Sequence, residues 1–409
     1  MDRLSKTVLS LVLSAAVYLG SPLPNTSLGL HPKTYSERII TIYLSGGGVM
    51  KLTDICEFHG GSQPPKSEWS SEYKDGYIRM LQIRDFTQEG RVTPEYVKIS
   101  NRLRLCTEDD ILIGRYGASV GKILSGKSGA YNVAIMKAVP DTSVVRKQYL
   151  RYYFLSPNFQ NYILNLGGRA AQAGFSKDDL ARLEITVVSL EEQDKIVNEL
   201  STLEKTISTK QKQLKEFDDL VKSRFIEMFG NPDANEKEWE KSKLENFINV
   251  VGGYAFKSQK YLSEGIPVLR IGNINAGYFK DTNLVFYQED SALEKYKIYP
   301  NDLVISLTGT AGKDDYGNIC LIDSTYDVYY LNQRNAKIEI KHTFNRFFLM
   351  HLFSHPEIKQ RLTGKNHGIR QGNILNKDIL ELDVYVPPIE LQNEFADFVK
   401  LIDKSKFVG

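Results

Sequence analysis

The sequence contains few cysteines and no recognisable catalytic motif. Its three cysteines, Cys56, Cys106 and Cys320, lie far apart and form no CxxC pair. That spacing argues against a zinc site or a disulfide framework and is typical of a reducing compartment. His351 and His355 have helical spacing but no third ligand nearby, so we expect them to pack within a helix. HExxH, GxSxG, Asn-Pro-Pro-Tyr-type and PD…(D/E)xK motifs are also lacking. We therefore expect no catalytic, cofactor-binding or metal-binding residue in this chain.

Net charge and long apolar runs are scarce as well. The 409 residues include 52 Lys and Arg against 50 Asp and Glu, a formal net charge of +2. Bulk charge therefore indicates no nucleic-acid partner, and any such signal must come from local patches. The apolar run from Val8 to Leu19 is too short for a membrane-spanning helix, so we expect no membrane contact.

The N-terminus allows two interpretations. Arg3 and Lys6 precede that apolar run and a Ser-Pro-Leu-Pro break follows it, a pattern typical of a weak signal peptide. Alternatively, because glycine codons begin with GG, the DNA that encodes Gly46-Gly47-Gly48 contains a purine-rich ribosome-binding site, and translation begins at Met50. We favour the second interpretation, in which the start codon has been assigned too early and residues 1–49 are an extension that is not translated. A secreted two-domain binding module with a signal peptide is the alternative.

An internal repeat of roughly 190–200 residues is the most informative feature present. Each match alone is weak, but the same order occurs twice. The matched pairs are Lys51-Leu52 with Lys243-Leu244, Gly60-Gly61 with Gly252-Gly253, GYIRMLQIRDF (76–86) with GIPVLRIGNI (265–274), DDILIGRYG (109–117) with NDLVISLTG (301–309), Asn132 with Asn332, and LARLEITVVSLEEQ (180–193) with ILELDVYVPPIELQ (379–392). Short β-branched runs predict buried strands, and helical spacing follows them in both copies. The predicted class is α+β, with two similar globular domains separated by long coiled-coil helices.

A long helix is predicted between the copies. Ser189 and Glu192 form a capping-box signature, and Gly230 followed by Pro232 is a typical helix end. Apolar residues in between alternate at four-three spacing, which is a heptad seam and requires a second helix as partner. The seam residues are Ile196, Leu200, Leu203, Ile207, Leu214, Phe217 and Val221 in this helix and Phe395, Val399 and Ile402 in the second. Two antiparallel helices would hold the domains at a fixed distance, although a generic coiled-coil spacer has the same periodicity.

This pattern divides the chain into segments. We predict a first domain at 50–188, a central helix at 189–230, a second domain at 231–388 and a C-terminal helix at 389–409. The last helix has about half the length of the first.

Local charge favours DNA binding more than net charge does. Residues 142–177 contain no acidic residue, and residues 341–377 contain seven Lys or Arg and only Glu357 as an acid. Such stretches suit phosphate neutralisation, although two solvated helix faces would look the same. Each stretch includes a glycine-rich polar loop, at 167–172 and 364–371. Glycine permits close approach to DNA, and Arg and Gln can contact guanine and adenine edges. Ordinary surface loops are the alternative interpretation.

The DNA-contact candidates come from these loops and from the loops after the DILIG and DLVIS strands. They are Arg115, Tyr116, Gly168, Arg169, Gln172 and Lys177 in the first copy, and Thr310, Lys313, Lys365, Arg370, Gln371 and Asn373 in the second.

In this order the pieces resemble the specificity subunits of type I restriction-modification enzymes, from about Met50 to the C-terminus. The most recognisable are the Gly-Gly pair, DLVISLTG (302–309), VPPIELQ (386–392) and FIEMFGNP (225–232). The resemblance implies two target-recognition domains that each read one half of a split double-stranded DNA site. It implies helices that set the spacer and dock two methylation subunits.

The partners implied by the resemblance supply the chemistry. The methylation subunits would use S-adenosylmethionine to methylate adenine, and a restriction subunit would use ATP and Mg to cut unmodified DNA. This chain would be cytoplasmic, bind no cofactor and catalyse nothing itself. Family members usually end in a second helix as long as the first, so the shorter one here implies either a truncated chain, with a weaker helix pair and a weaker dock for one methylation subunit, or a subunit that works with a shorter seam.

Overall fold

Two units of similar construction make up the chain. The computed structural model describes residues 47–88, 90–166, 174–364 and 371–408. Contacts divide the chain into Met1–Lys210 and Gln211–Gly409. Both units mix helices with small sheets, so the predicted α+β class is confirmed. The signal-like segment at 1–24 lies outside the described residues.

The described part of the first unit contains three sheets, in the orders β1-β11, β2-β10-β7-β8 and β3-β5-β4-β9-β6. Its strands are β1 (Gly48–Lys51), β2 (Cys56–Gly60), β3 (Trp69–Ser70), β4 (Tyr77–Leu81), β5 (Tyr96–Lys98), β6 (Leu105–Cys106), β7 (Ile111–Gly114), β8 (Ile123–Leu124), β9 (Gly129–Tyr131), β10 (Ile135–Pro140) and β11 (Glu184–Val187). Its helices are α1 (Leu52–Ile55), α2 (Ile83–Thr87), α3 (Lys147–Leu155), α4 (Pro157–Leu166) and α5 (Lys177–Leu180), and α6 (Leu190–Phe229) begins here. Gly48 and Val49, which we assigned to the extension, pair with Val187 and Thr186 in the β1-β11 ribbon.

The second unit repeats this plan in the orders β12-β23, β13-β21-β17-β19 and β15-β14-β20-β16, with an added β18-β22 pair. Its strands are β12 (Glu240–Lys243), β13 (Ile248–Gly252), β14 (Ile266–Leu269), β15 (Val285–Tyr287), β16 (Lys297–Ile298), β17 (Leu303–Ser306), β18 (Thr308–Thr310), β19 (Ile319–Leu321), β20 (Tyr329–Leu331), β21 (Asn335–Ile340), β22 (Gln371–Asn373) and β23 (Asp383–Val386). Its helices are α7 (Arg346–Ser354), α8 (Pro356–Thr363), α9 (Asn376–Leu380) and α10 (Ile389–Val408).

The repeat extends to strand direction and to close backbone contacts. In both units one pair of neighbouring strands is parallel, β4 with β9 and β14 with β20, within otherwise antiparallel sheets. The second glycine of each Gly-Gly pair has no room for a side chain. A Cβ at Gly61 or Gly253 would collide with the carbonyl oxygen of Asn132 or Asn332. The aligned Gly-Gly and Asn positions are therefore explained by one close backbone approach that occurs in both units.

A buried glutamine joins three segments in each unit. Gln193 is fully buried. Its Oε1 accepts from Arg146 N–H at 2.7 Å, and its Nε2 donates to the carbonyls of Val144 at 3.0 Å and Val188 at 2.8 Å. Gln392 is equally buried and makes the corresponding three bonds. Because a buried amide needs hydrogen-bond partners, these bonds hold the first turn of α6 against residues 144–146 and the first turn of α10 against residues 343–345.

The long helix has the predicted ends. Ser189 Oγ accepts from the backbone N–H of Glu192 at 3.3 Å, so Ser189 is the N-cap. Gly230 follows the last helical residue with φ of 76°, a conformation that glycine adopts at little cost. The helix has 40 residues and α10 has 20, so the second helix is half as long as the first.

Burial along the predicted seam is uneven. Leu203, Ile207 and Val221 are buried, whereas Leu214, near the middle of α6, is 36% exposed. The half-buried members are Ile196, Leu200 and Phe217. The seam residues of α10 are all buried, namely Phe395, Val399 and Ile402.

Within the second unit, α10 packs antiparallel to the last part of α6. The ring of Phe395 contacts the rings of Phe225 and Phe229, each at 5.5 Å between centroids. Further along, Lys406 Nζ lies 3.0 Å from Asp218 Oδ1. As residue numbers rise in one helix they fall in the other, so this stretch has the antiparallel direction that we expected.

None of the described helices is both long enough and apolar enough to cross a bilayer.

Candidate nucleic-acid interface

In the first unit, Arg115 connects three segments at the end of β7. Its backbone N–H donates to Ala134 O at 2.8 Å. Its guanidinium donates to Phe175 O at 3.5 Å and Val133 O at 3.4 Å, and lies 4.9 Å from the Tyr116 ring centroid. Arg115 is thus partly committed to the fold. Tyr116 is 42% exposed and is the more accessible of the two for a ligand.

The same place in the second unit is a two-stranded ribbon. β18 pairs with β22 so that Thr308 faces Asn373 and Thr310 faces Gln371. The structure therefore brings together three candidates that are about 60 residues apart in sequence. In the first unit, Tyr116 and Gly174 form an antiparallel bridge at the corresponding place.

The DNA-contact candidates of the second unit differ in how far their side chains are exposed and free of internal hydrogen bonds. The Thr310 hydroxyl donates to Asp315 Oδ2 at 2.9 Å, so it is already used within its own loop. Lys313 follows in the same turn, where its backbone N–H donates to Thr310 O, and its side chain is exposed. Gln371 is exposed and Asn373 is half-buried.

The other candidates are at the edge of the described residues or beyond it. Lys177 is exposed in the first turn of α5, which Ser176 caps by accepting from Asp179 N–H. The remaining candidates, Gly168, Arg169, Gln172, Lys365 and Arg370, lie outside the described residues and stay predictions.

The basic segments provide less free charge than the sequence suggested. In the first, Arg146 pairs with Asp194 at 2.8 Å and Arg151 with Glu204 at 3.2 Å. The partners in both pairs are carboxylates of α6. Arg151 of α3 and Arg146, directly before α3, therefore hold this helix to α6, and phosphate binding by this segment stays a prediction.

The second basic segment behaves in the same way. Lys359 pairs with Asp314, and Arg361 pairs with Asp233 and also donates to Asp383 O at 3.1 Å. Acidic residues distant in sequence thus neutralise these cations. A window of sequence that contains no acid cannot show that its cations are free, because the partners come from other elements.

A turn that the candidates did not include belongs to the same surface. In the first unit, Asn132 Oδ1 accepts from Ala134 N–H at 3.1 Å. In the second, Asn332 Oδ1 accepts from Arg334 N–H at 3.2 Å, and Arg334 O accepts from Leu307 N–H at 2.8 Å. The alignment of Asn132 with Asn332 was the sequence signal that could have identified this turn.

The three cysteines are buried and unpaired, and His351 is half-buried. Burial raises the pKa of the thiols of Cys56 and Cys320 to about 12 and that of Cys106 to about 11, so all three are protonated at neutral pH. Burial lowers the pKa of His351 to about 4, and its ring packs edge-on against Phe395, as expected for a packing histidine. Among the described residues, no three His, Cys, Asp or Glu side chains are grouped to hold a metal ion.

Comparisons with known proteins agree on one family. The model of the type I restriction modification DNA specificity domain matches twice, at residues 46–217 and 236–407. The chain is 24% identical over 373 residues to the specificity subunit of type I restriction enzyme MjaVIII from Methanocaldococcus jannaschii, covering 87% of this chain and 85% of that protein. It is 27% identical over 288 residues to the MjaIX specificity subunit of the same organism, covering 60% of this chain and 65% of the relative.

A solved structure has a similar fold. The S subunit of a type I restriction-modification system from M. genitalium superposes with a TM-score of 0.53 at 17% identity, covering 88% of this chain and 90% of that chain. The two family-model matches together span most of the residues, and each contains one copy of the repeat. The chain therefore belongs to the family of type I restriction-modification specificity subunits and contains two DNA specificity domains.

Proposed function

We propose that this chain reads a split double-stranded DNA site, one half with each unit, and directs adenine methylation and restriction by partner subunits. One observation carries this proposal. Each unit, taken by itself, has equivalent backbone segments at the end of its β7 or β17 strand, but the side chains on those segments differ between the units. Tyr116 and Gly174 in the first unit correspond to Thr308 and Asn373 in the second. A shared fold with different exposed side chains is suited to reading two different sequences.

The partners and their cofactors are part of the proposal. Two methylation subunits would bring S-adenosylmethionine, and a restriction subunit would bring ATP and Mg. This chain would act in the cytoplasm as a recognition subunit that carries out no chemistry. It would contribute the side chains that contact DNA. Contacts to base edges in the major groove identify the sequence, and contacts to phosphates fix the position of the protein along the duplex.

A methylation map tests the proposal directly. Methylated adenines are mapped across the host genome with the gene intact, deleted and restored. We expect one split motif to disappear on deletion and to return on restoration. If every methylated motif survives deletion, the chain does not direct methylation in that host.

Salt dependence provides a second test on the purified complex. Because phosphate contacts release counterions, affinity for a duplex that contains the motif should fall by about 10³-fold or more between 50 and 200 mM salt. Affinity that stays constant over that range would mean that phosphates contribute little to binding.

A further inference from the structure

The turn after β20 holds two exposed side chains on a rigid backbone. Asn332 Oδ1 accepts from Arg334 N–H, and Asn335 N–H donates to Asn332 O at 2.9 Å. Asn335 is fully buried, and its Nδ2 donates to Leu269 O at 3.0 Å. Gln333 N–H donates to Tyr254 O at 2.9 Å. These bonds fix the main chain and leave the side chains of Gln333 and Arg334 exposed.

The turn is joined to the segments already identified as candidates. Arg334 O accepts from Leu307 N–H, and Leu307 comes directly before β18. β18 in turn pairs with β22, where Gln371 is exposed. The turn, β18 and β22 are thus consecutive along one surface of the second unit.

The charge of Arg334 has no partner in the described part of the chain. No carboxylate there lies within ion-pair distance of it, in contrast to Lys359 and Arg361, whose charges are neutralised by Asp314 and Asp233. A guanidinium that the fold does not use is available to an external acceptor. Arg suits the two acceptors of a guanine edge, and Gln suits the donor-acceptor pair of an adenine edge.

The first unit has the same turn with different chemistry. Asn132 Oδ1 accepts from Ala134 N–H, Ile135 N–H donates to Asn132 O at 3.0 Å, and Arg115 N–H donates to Ala134 O. The two side chains at the tip are Val133, 38% exposed, and Ala134. The fold therefore requires this backbone but not these side chains.

We propose that Gln333 and Arg334 are specificity-determining residues that contact purine edges in the half-site read by the second unit. Val133 occupies the corresponding position in the first unit, where its methyl groups suit the methyl group of thymine. This inference rests on the proposed function and names the residues through which it is performed.

The test exchanges the side chains of one turn for those of the other. The double variant Gln333→Val, Arg334→Ala carries the residues of the first unit on the backbone of the second. Lys241→Ala is the matched control, because it removes one positive charge from the same unit on the β12-β23 ribbon, where Lys241 pairs with Asp383 at 3.3 Å. Each full-length chain is assembled with its partner subunits, and its melting temperature is checked against wild type.

Binding is measured on duplexes that contain the mapped motif and on duplexes with each base pair changed singly. We expect wild type and control to discriminate by about 10- to 100-fold at one or two positions of one half-site. At those positions the double variant should prefer the motif base pair over its substitutes by less than about 3-fold. In the other half-site its discrimination should equal that of wild type. Adenine methylation in cells should lose specificity at the same positions.

Two results would overturn the inference. Undiminished discrimination at every base pair would mean that the turn reads no base. Equal weakening on all duplexes would mean that Arg334 contacts phosphate only. Both results are distinct from failure of the proposed function, in which wild type itself prefers no duplex and deletion of the gene removes no methylated motif.

Discussion

Replacing Gln392 with Leu should destabilise the second unit strongly. The side chain is fully buried, accepts from Asn345 N–H at 2.9 Å, and donates to Thr343 O at 3.0 Å and Pro387 O at 2.8 Å. Leu has a similar volume, so the main effect is the loss of three hydrogen bonds and not the creation of a cavity. A net hydrogen bond contributes about 1 kcal/mol, and a buried group left without a partner costs about 1–3 kcal/mol. We expect a loss of about 3–5 kcal/mol in the free energy of unfolding, allowing for relaxation.

Urea unfolding followed by hydrogen-exchange mass spectrometry measures this loss and locates it. Protection should fall in β23, at the start of α10 and in the segment before α7, because those are the elements that Gln392 joins. Gln213→Leu, at an exposed position of α6, is the matched control and should change stability by less than about 0.5 kcal/mol. A loss below about 1 kcal/mol for Gln392→Leu would refute the view that this amide holds the three segments together.

Two further changes test other features of the second unit. Gly253→Ala should cost about 1–3 kcal/mol, because the new Cβ meets the Asn332 carbonyl, whereas Gly272→Ala meets no atom within 4 Å and should be nearly neutral by thermal unfolding. His351→Leu should remove an acid-sensitive part of stability. With a pKa lowered from 6.5 to about 4 by burial, His351 is neutral in the fold, and the unfolded chain gains the proton first as pH falls. Wild type should therefore lose on the order of 3 kcal/mol between about pH 6.5 and 4 from this group, and the variant should not. Equal slopes for the two proteins in urea titrations over that pH range would contradict the assignment.

Sequence patterns predicted the features that depend on neighbouring residues. The N-cap at Ser189, the helix end at Gly230 and the DILIG and DLVIS strands all follow from local rules, and all are present. The internal repeat was visible because the same local patterns recur in the same order, and the family model matches each copy separately.

Features that depend on distant partners could not be predicted in this way. The ion pair of Arg146 with Asp194 joins residues 48 positions apart, and the sequence gives no rule for choosing that partner. The β18-β22 ribbon, which brings Thr310 opposite Gln371, likewise depends on how the unit closes. Asn132 and Asn332 match in the internal repeat, but the turns that they form depend on hydrogen bonds that the sequence does not show.

The β1-β11 and β12-β23 ribbons have a consequence for how such genes change. In each ribbon the opening strand of a unit lies beside its closing strand, antiparallel and in register over four residues. The segments Gly48–Val187 and Glu240–Val386 thus each begin and end at adjacent points. A replacement of one such segment has two junctions that are neighbours in space, but it must also fit the helices outside the segment, since Phe348 stacks on Phe225 of α6 at 5.5 Å between centroids. Exchange of one such segment would replace all the DNA-contact candidates of one unit in a single step, whereas a point substitution changes one side chain at a time.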